Sequence, residues 1–205
     1  MSSPATTLFL DIGGVLLTNG WDTPTRQRAI DHFNLNRSET DERHHLMFDT
    51  FESGKMSLST YLDYVVFYEK KSFTKEQFID YMYDQSLPLE GCIEFFKKIK
   101  ENNHLRCIAV SNEPRELNDY RVKKYKLMEL FDAVISSSFV HLRKPDVDIF
   151  KLAIDVAQLE ERNQGIYVDD RLLFVEIASS LGLQGVQFKT LESVKQQFKE
   201  LGLIA

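Results

Sequence analysis

The sequence is short of several things, and each shortage removes a class of protein. It has two cysteines in 205 residues, Cys92 and Cys107, and no CxxC pair. That argues against a disulfide framework and points to a reducing compartment. Nine glycines and five prolines are too few for a collagen-like or low-complexity chain. No apolar run approaches the ~20 residues of a membrane-spanning helix. Basic residues are in deficit, with a net charge of −6. An acidic chain offers no electrostatic footprint for nucleic acid and no polybasic patch for a membrane. No GxxxxGK(S/T) segment occurs, which excludes a P-loop nucleotide binder. The opening MSSPATT has no basic n-region, so it does not read as a secretory leader. The expected location is cytoplasmic. Nothing in the pattern fixes an oligomeric state.

What is present is an ordinary globular balance, with 43% hydrophobic residues and 27% charged. Five short apolar runs read as buried strands: 7–10, 105–110, 133–136, 165–168 and 185–188. Such runs are continuous rather than alternating, which suits a parallel sheet covered on both faces. From residue 90 onward strands alternate with helical patterns, the layout of a doubly wound α/β fold. Residues 21–86 interrupt that layout with helical stripes alone. Met47, Phe48 and Phe51 form one stripe; Leu58, Tyr61, Leu62 and Val65 a second; Phe78, Ile79 and Met82 a third. Thr74 and Gln77 have the spacing of a capping box, with Phe73 and Phe78 as its hydrophobic staple. The expected organisation is a core of 1–20 and 87–205, with a helical cap of 21–86 inserted after the first strand.

Reactive side chains sit where these runs end. Asp11 ends the first, in LFLDIGG; Ser111 ends the second, in AVSNEP; Lys144 lies in HLRKPD; Asp169 and Asp170 end the fourth, in YVDDR. Parallel strands open their C-terminal ends to one edge, so these groups are expected in one crevice. Three carboxylates would repel one another without a cation, and hard oxygen ligands suit Mg²⁺ with a bound phosphate. Lys144, the Ser111 hydroxyl and backbone amides near Asn112 and Glu113-Pro114 would spread the charge of a transferring phosphoryl group. Asp11 is then the nucleophile.

These motifs, in this order over nearly the whole chain, resemble the haloacid dehalogenase-like hydrolases. The resemblance implies a Rossmann-like core, a small all-α cap, Mg²⁺ dependence and hydrolysis of a small phosphorylated metabolite, sugar phosphates among them. It implies Asp11, Ser111 and Lys144 as catalytic residues and Ser111, Asn112 and Lys144 around the phosphate. It implies metal ligation by Asp11, the Gly13 carbonyl, Asp170 and Asp169, the last directly or through water. The chain departs from the pattern at Gly13, where phosphatases of this kind carry an aspartate that shuttles the proton. Turnover is therefore expected to be slow, by part of the roughly 10²–10⁴-fold that acid–base catalysis supplies. Glu113, or a cap residue such as Asp22, is a candidate substitute. An aspartate restored at position 13 is expected to raise hydrolysis if the site has room.

Structural readings stand beside these. Ser111 would also serve as a helix cap, Arg143 as a solvated surface charge, and Arg171 as a partner of a neighbouring acid. His141 reads as a satisfied loop histidine, and His44 as packed in the cap. Trp21 reads as touching substrate or packing between core and cap. Two rival functions remain: a catalytically weak relative that acts by binding a phosphometabolite or protein, and a 2-haloacid dehalogenase. The Asp169-Asp170 pair argues against the latter, which needs no metal.

Overall fold

The computed structural model describes residues 4–204. Three residues of the N-terminal stretch read above, and Ala205, lie outside it. Five parallel strands form one sheet: β1 (Thr7–Leu10), β2 (Arg106–Ser111), β3 (Ala133–Ser136), β4 (Gly165–Asp169) and β5 (Gln184–Gln187), in the order β3-β2-β1-β4-β5. The fold is α/β and Rossmann-like. The five apolar runs land on these strands within a residue or two. β2 and β4 each run one residue further than expected, taking in Ser111 and Asp169, and β5 starts and ends one residue earlier.

The reason for continuous apolar runs is visible in β1. Leu8 and Leu10 point into one core with Phe96, Ile99 and Phe198, while Phe9 points into the opposite core with Ile149, Phe150 and Tyr167. Successive strand residues face opposite ways, and helices cover both faces, so every position is apolar. The first face carries α5 (Cys92–Asn102), α6 (Arg115–Lys124) and α10 (Leu191–Glu200). The second carries α8 (Val147–Ala157) and α9 (Leu172–Ser180). A short turn, α7 (Ser137–Val140), follows β3. Among the described residues no helix is long and apolar enough to cross a membrane.

Between β1 and α5 lie α1 (Thr23–His32), α2 (Arg37–Glu52), α3 (Leu58–Val65) and α4 (Lys75–Asp84). They have a core of their own around Phe51, Leu58, Tyr61, Leu62, Val65, Phe78 and Met82. The Phe51 and Tyr61 rings stack with centroids 4.1 Å apart. Thr74 and Gln77 make the capping box, and the Phe73 and Phe78 rings stack beside it at 6.1 Å. Met47, Phe48 and Ile79 are only half-buried, at the margin of this core.

The insertion leaves and rejoins the sheet by two linkers that run side by side. Thr18 N–H donates to the Leu87 carbonyl at 2.8 Å, and Leu89 N–H to the Leu16 carbonyl at 2.9 Å. Arg121 of α6, 1% exposed, pins both linkers: it donates to the Thr18 carbonyl at 2.8 Å and to Ser86 Oγ at 3.0 Å.

Candidate active site

The central strands carry the key groups to one edge. Leu10 pairs with Ala109 on one side and Val168 on the other. The next residues along each strand are therefore Asp11, Val110-Ser111 and Asp169, neighbours across strands ~4.8 Å apart. Oxygens of Asp11, Asp169 and Asp170 lie within 4.8 Å of one another.

Lys144 ties this cluster together. Its ammonium, 1% exposed, donates to Asp169 Oδ2 at 2.7 Å and to the Val110 carbonyl at 2.9 Å, and stands 3.3 Å from Asp11 Oδ1. Burial opposes its charge, but Asp11 and Asp169 outweigh burial and hold its pKa above the usual value. Asn112 fixes the backbone that carries it: Asn112 Nδ2 donates to the Lys144 carbonyl at 2.7 Å, and Lys144 N–H donates to Asn112 Oδ1 at 2.8 Å. Asp169 is fully engaged, accepting from Lys144 and the Tyr167 hydroxyl on Oδ2 and from Arg171 N–H on Oδ1.

Asp11 feels opposing forces. Burial raises its pKa most, Lys144 lowers it, Asp169 and Asp170 raise it and the Ser111 hydroxyl lowers it; the outcome is about 7. Asp170 is raised too, by burial and then by Asp169. Its Oδ1 is buried without a hydrogen-bond partner. A Cβ on Gly14 would meet the Asp170 carboxylate at 2.5 Å, so only glycine backbone fits beside it. An orphaned carboxylate oxygen, a second acid whose charge burial opposes, and bare backbone alongside form a donor set that a hard divalent cation satisfies. The residues present fit Mg²⁺.

Sequence comparison decides the family. The profile described as haloacid dehalogenase-like hydrolase matches residues 23–188. The chain belongs to the haloacid dehalogenase-like hydrolases. Asp11 lies just ahead of the matched stretch. Among solved structures, this hydrolase is similar to a HAD family enzyme, bt-2542, from Bacteroides thetaiotaomicron, with TM-score 0.80, 19% identity and coverage of 96% of this chain and 99% of that one. The same enzyme is known in complex with magnesium and inorganic phosphate, at TM-score 0.76, 19% identity and coverage of 95% and 99%. The L-2-haloacid dehalogenase of Xanthobacter autotrophicus, with chloropropionic acid covalently bound, matches at TM-score 0.61, 15% identity and coverage of 98% and 85%. A stretch of 110 residues is 30% identical to drimenol cyclase drtB of Aspergillus calidoustus; it covers 52% of this hydrolase and only 20% of that protein.

The hydrolase fills the place of the missing acid with something else. A Cβ on Gly13 would point at Asn19 Oδ1, 2.8 Å away, and at Arg121 Nη1, 3.7 Å away. Arg121 is in turn ion-paired with the buried Glu113. Glu113 is thus committed to a guanidinium, and its other oxygen is buried without a partner. Asp22 is committed as well: it caps α1, accepting from Thr25 N–H at 2.9 Å and from the Thr25 hydroxyl at 2.7 Å. Ser111 is no helix cap, because α6 begins after Pro114.

Two further side chains, Arg143 and Arg171, resolve differently from the simple readings. Arg143 is not a solvated charge. It crosses to the insertion, donating to Glu52 Oε2 at 2.7 and 3.2 Å and to Asp49 Oδ1 at 3.2 Å. Arg171 has no ion pair among the described residues, and its guanidinium lies 5.6 Å from the Phe174 ring. Trp21 packs edge-on to Phe78 and donates to the Tyr61 hydroxyl at 3.0 Å, while also lining the catalytic cavity. His44 and His141 are satisfied as expected, by the Tyr61 hydroxyl and by the Ser53 carbonyl, each at 2.7 Å. Arg121, Asn19 and Glu52 are the site residues that sequence reasoning missed. None carries a local signal, since each gains its meaning from partners distant in the chain.

The cavity over Asp11, Ser111 and Lys144 is small, about 90 Å³. Trp21, Asp22, Glu52, Arg143 and Arg171 also border an outer cavity of about 600 Å³, lined further by Arg26, His45 and Phe48.

Proposed function

We propose that this hydrolase cleaves phosphate monoesters of small metabolites through an aspartyl-phosphate on Asp11. The observation that carries the reading is the convergence of Asp11, Asp169 and Asp170 around Lys144 at the sheet edge. Asp11, the Gly13 carbonyl and Asp170 would hold Mg²⁺ directly, and Asp169, whose oxygens are already engaged, through water. Bound there, the ion supplies charge neutralisation for the phosphoryl oxygens and keeps Asp11 ionised. Asp11 Oδ attacks phosphorus, its P–O bond forming as the bond to the leaving oxygen breaks. The Lys144 ammonium and Ser111 hydroxyl take two phosphoryl oxygens, and Asn112 beside them donates to the third. Water then attacks phosphorus and releases Asp11. The leaving group extends into the outer cavity, whose mixture of charged and aromatic side chains suits a polar, hydroxyl-bearing body such as a sugar.

The acid cluster supports phosphoryl transfer over dehalogenation, which has no use for a cation. The test is a panel of phosphate esters assayed with Mg²⁺ and with chelator, on the native chain and on Asp11→Asn. Activity that needs metal and vanishes in the variant is expected. Equal rates in the two proteins would end the nucleophile assignment.

A further inference from the structure

This inference rests on the phosphatase reading and addresses the missing proton carrier. We propose that Glu52, delivered by the insertion, protonates the leaving group and then activates the hydrolytic water, in place of the acid absent at Gly13. Four acids besides Asp169 and Asp170 are near enough to consider: Asp11, Asp22, Glu52 and Glu113, all lining the catalytic cavity. Asp11 is the nucleophile. Asp22 accepts with Oδ1 from the Thr25 N–H and hydroxyl at the α1 N-terminus, where the helix dipole favours the ionised carboxylate over an acid that must donate. Glu113 is 3% exposed and ion-paired with Arg121, so no substrate oxygen reaches it. Glu52 is more open than Glu113 and, unlike Asp22, is not held by a helix N-terminus. Its side chain is 27% exposed. Arg143 holds Oε2, and Oε1 has no hydrogen-bond partner among the described residues. It is the last residue of α2, its own carbonyl accepting from the Ser137 hydroxyl at 2.6 Å, so its position is fixed from the core side.

The direction of approach is right. In phosphoryl transfer the attacking and leaving oxygens lie roughly in line through phosphorus. Asp11 attacks from the sheet, so the leaving oxygen departs toward the insertion, which is where Glu52 comes from. Its proton affinity is also suited. Burial raises the Glu52 pKa and outweighs the opposing pull of Arg143, Arg171 and Arg26. The buried acid Glu113 faces it from the core side, and Asp49 shares Arg143.

The steps balance. As the Asp11–phosphorus bond forms and the ester bond breaks, Glu52 gives its proton to the departing oxygen, which leaves as the alcohol. The resulting carboxylate, steadied by Arg143, takes a proton from the water that attacks phosphorus. Inorganic phosphate and free Asp11 result, and Glu52 is protonated again.

The experiment uses the full chain with Mg²⁺ and three probes of rising leaving-group basicity: p-nitrophenyl phosphate, phenyl phosphate and ethyl phosphate. In Glu52→Gln the first step on p-nitrophenyl phosphate needs no acid, but the second still needs a base. A burst of p-nitrophenolate equal to the enzyme, followed by slow turnover, is expected. On ethyl phosphate both steps suffer, and kcat falls by ~10²-fold or more. A second variant, Arg143→Gln, removes the cation that steadies the carboxylate, and should move the limbs of the pH–rate profile upward. Equal losses on all three probes with no burst, or an unmoved profile in Arg143→Gln, would overturn the assignment. Absence of Mg²⁺-dependent hydrolysis of every probe by the native chain would instead sink the phosphatase reading, and this inference with it.

Discussion

Gly54→Ala tests how rigidly the insertion is seated. Gly54 follows α2 in a left-handed conformation, φ 68°, and a Cβ there would lie 2.7 Å from Ser138 Cα and closer still to the Ser138 carbonyl. Both neighbours are backbone, so the clash cannot be relieved by turning a side chain. Two costs add. Holding alanine in the left-handed region costs roughly 1–2 kcal/mol, and forcing an extra methyl against packed backbone costs roughly 1–3 kcal/mol. Gly91 and Gly202 separate the two terms. They have φ of 71° and 79°, but their added Cβ meets nothing nearer than Leu191 Cδ2 at 3.4 Å, or nothing within 4 Å. Alanine at those positions should lose the first term only. For a chain of this length each kcal/mol moves Tm by about 2–4 °C. Scanning calorimetry should therefore place Gly54→Ala several degrees below both controls. It should also lose activity, because Glu52 and the Ser53 carbonyl that receives His141 are anchored at the same junction. Equal melting of all three variants would refute the claim that α2 is wedged against α7.

Two other outcomes follow from the site. Asp11 has a folded pKa of about 7 against a free value of 3.8. The folded chain thus holds this proton more tightly, and the stability it provides is full below the free value and lost as pH rises to about 7. In urea melts with chelator, the native chain should lose ground to Asp11→Asn between about pH 4 and pH 7; a native chain that gains over that range contradicts the burial argument. Gly13→Asp should not rescue turnover, because its carboxylate must displace Asn19 and comes to rest near the Arg121 guanidinium, which keeps it ionised. A rise in kcat on phenyl phosphate of about tenfold or more would show that Arg121 does not hold it.

The sheet was readable because burial on both faces leaves no room for alternation, as Leu8, Phe9 and Leu10 illustrate. The convergence of Asp11, Asp169 and Asp170 was readable because strand ends in a parallel sheet have one destination. The helices of the insertion were readable from their stripes, α3 best, where all four expected positions are buried. Arg121 was not. Its helix reads RELNDYRVKK, an apparently solvated face. Only the fold brings Thr18, Ser86 and Glu113 around it and makes a buried charge tolerable, since an unpaired one would be very costly. Glu52 was hidden for the same reason, as one acid at the end of a polar helix whose partner, Arg143, lies 91 residues away.

The insertion meets the core along a seam on α6 and α7: Arg121 across the paired linkers, Tyr120 stacked on Tyr83 at 4.2 Å, Glu116 accepting from Leu58 N–H at 2.9 Å, and the end of α2 against α7 with Arg143 reaching over. Glu52 belongs to the α2 end of that seam, so loosening it there, by removing Arg143 or crowding Gly54, is expected to shift Glu52 relative to the cavity over Asp11.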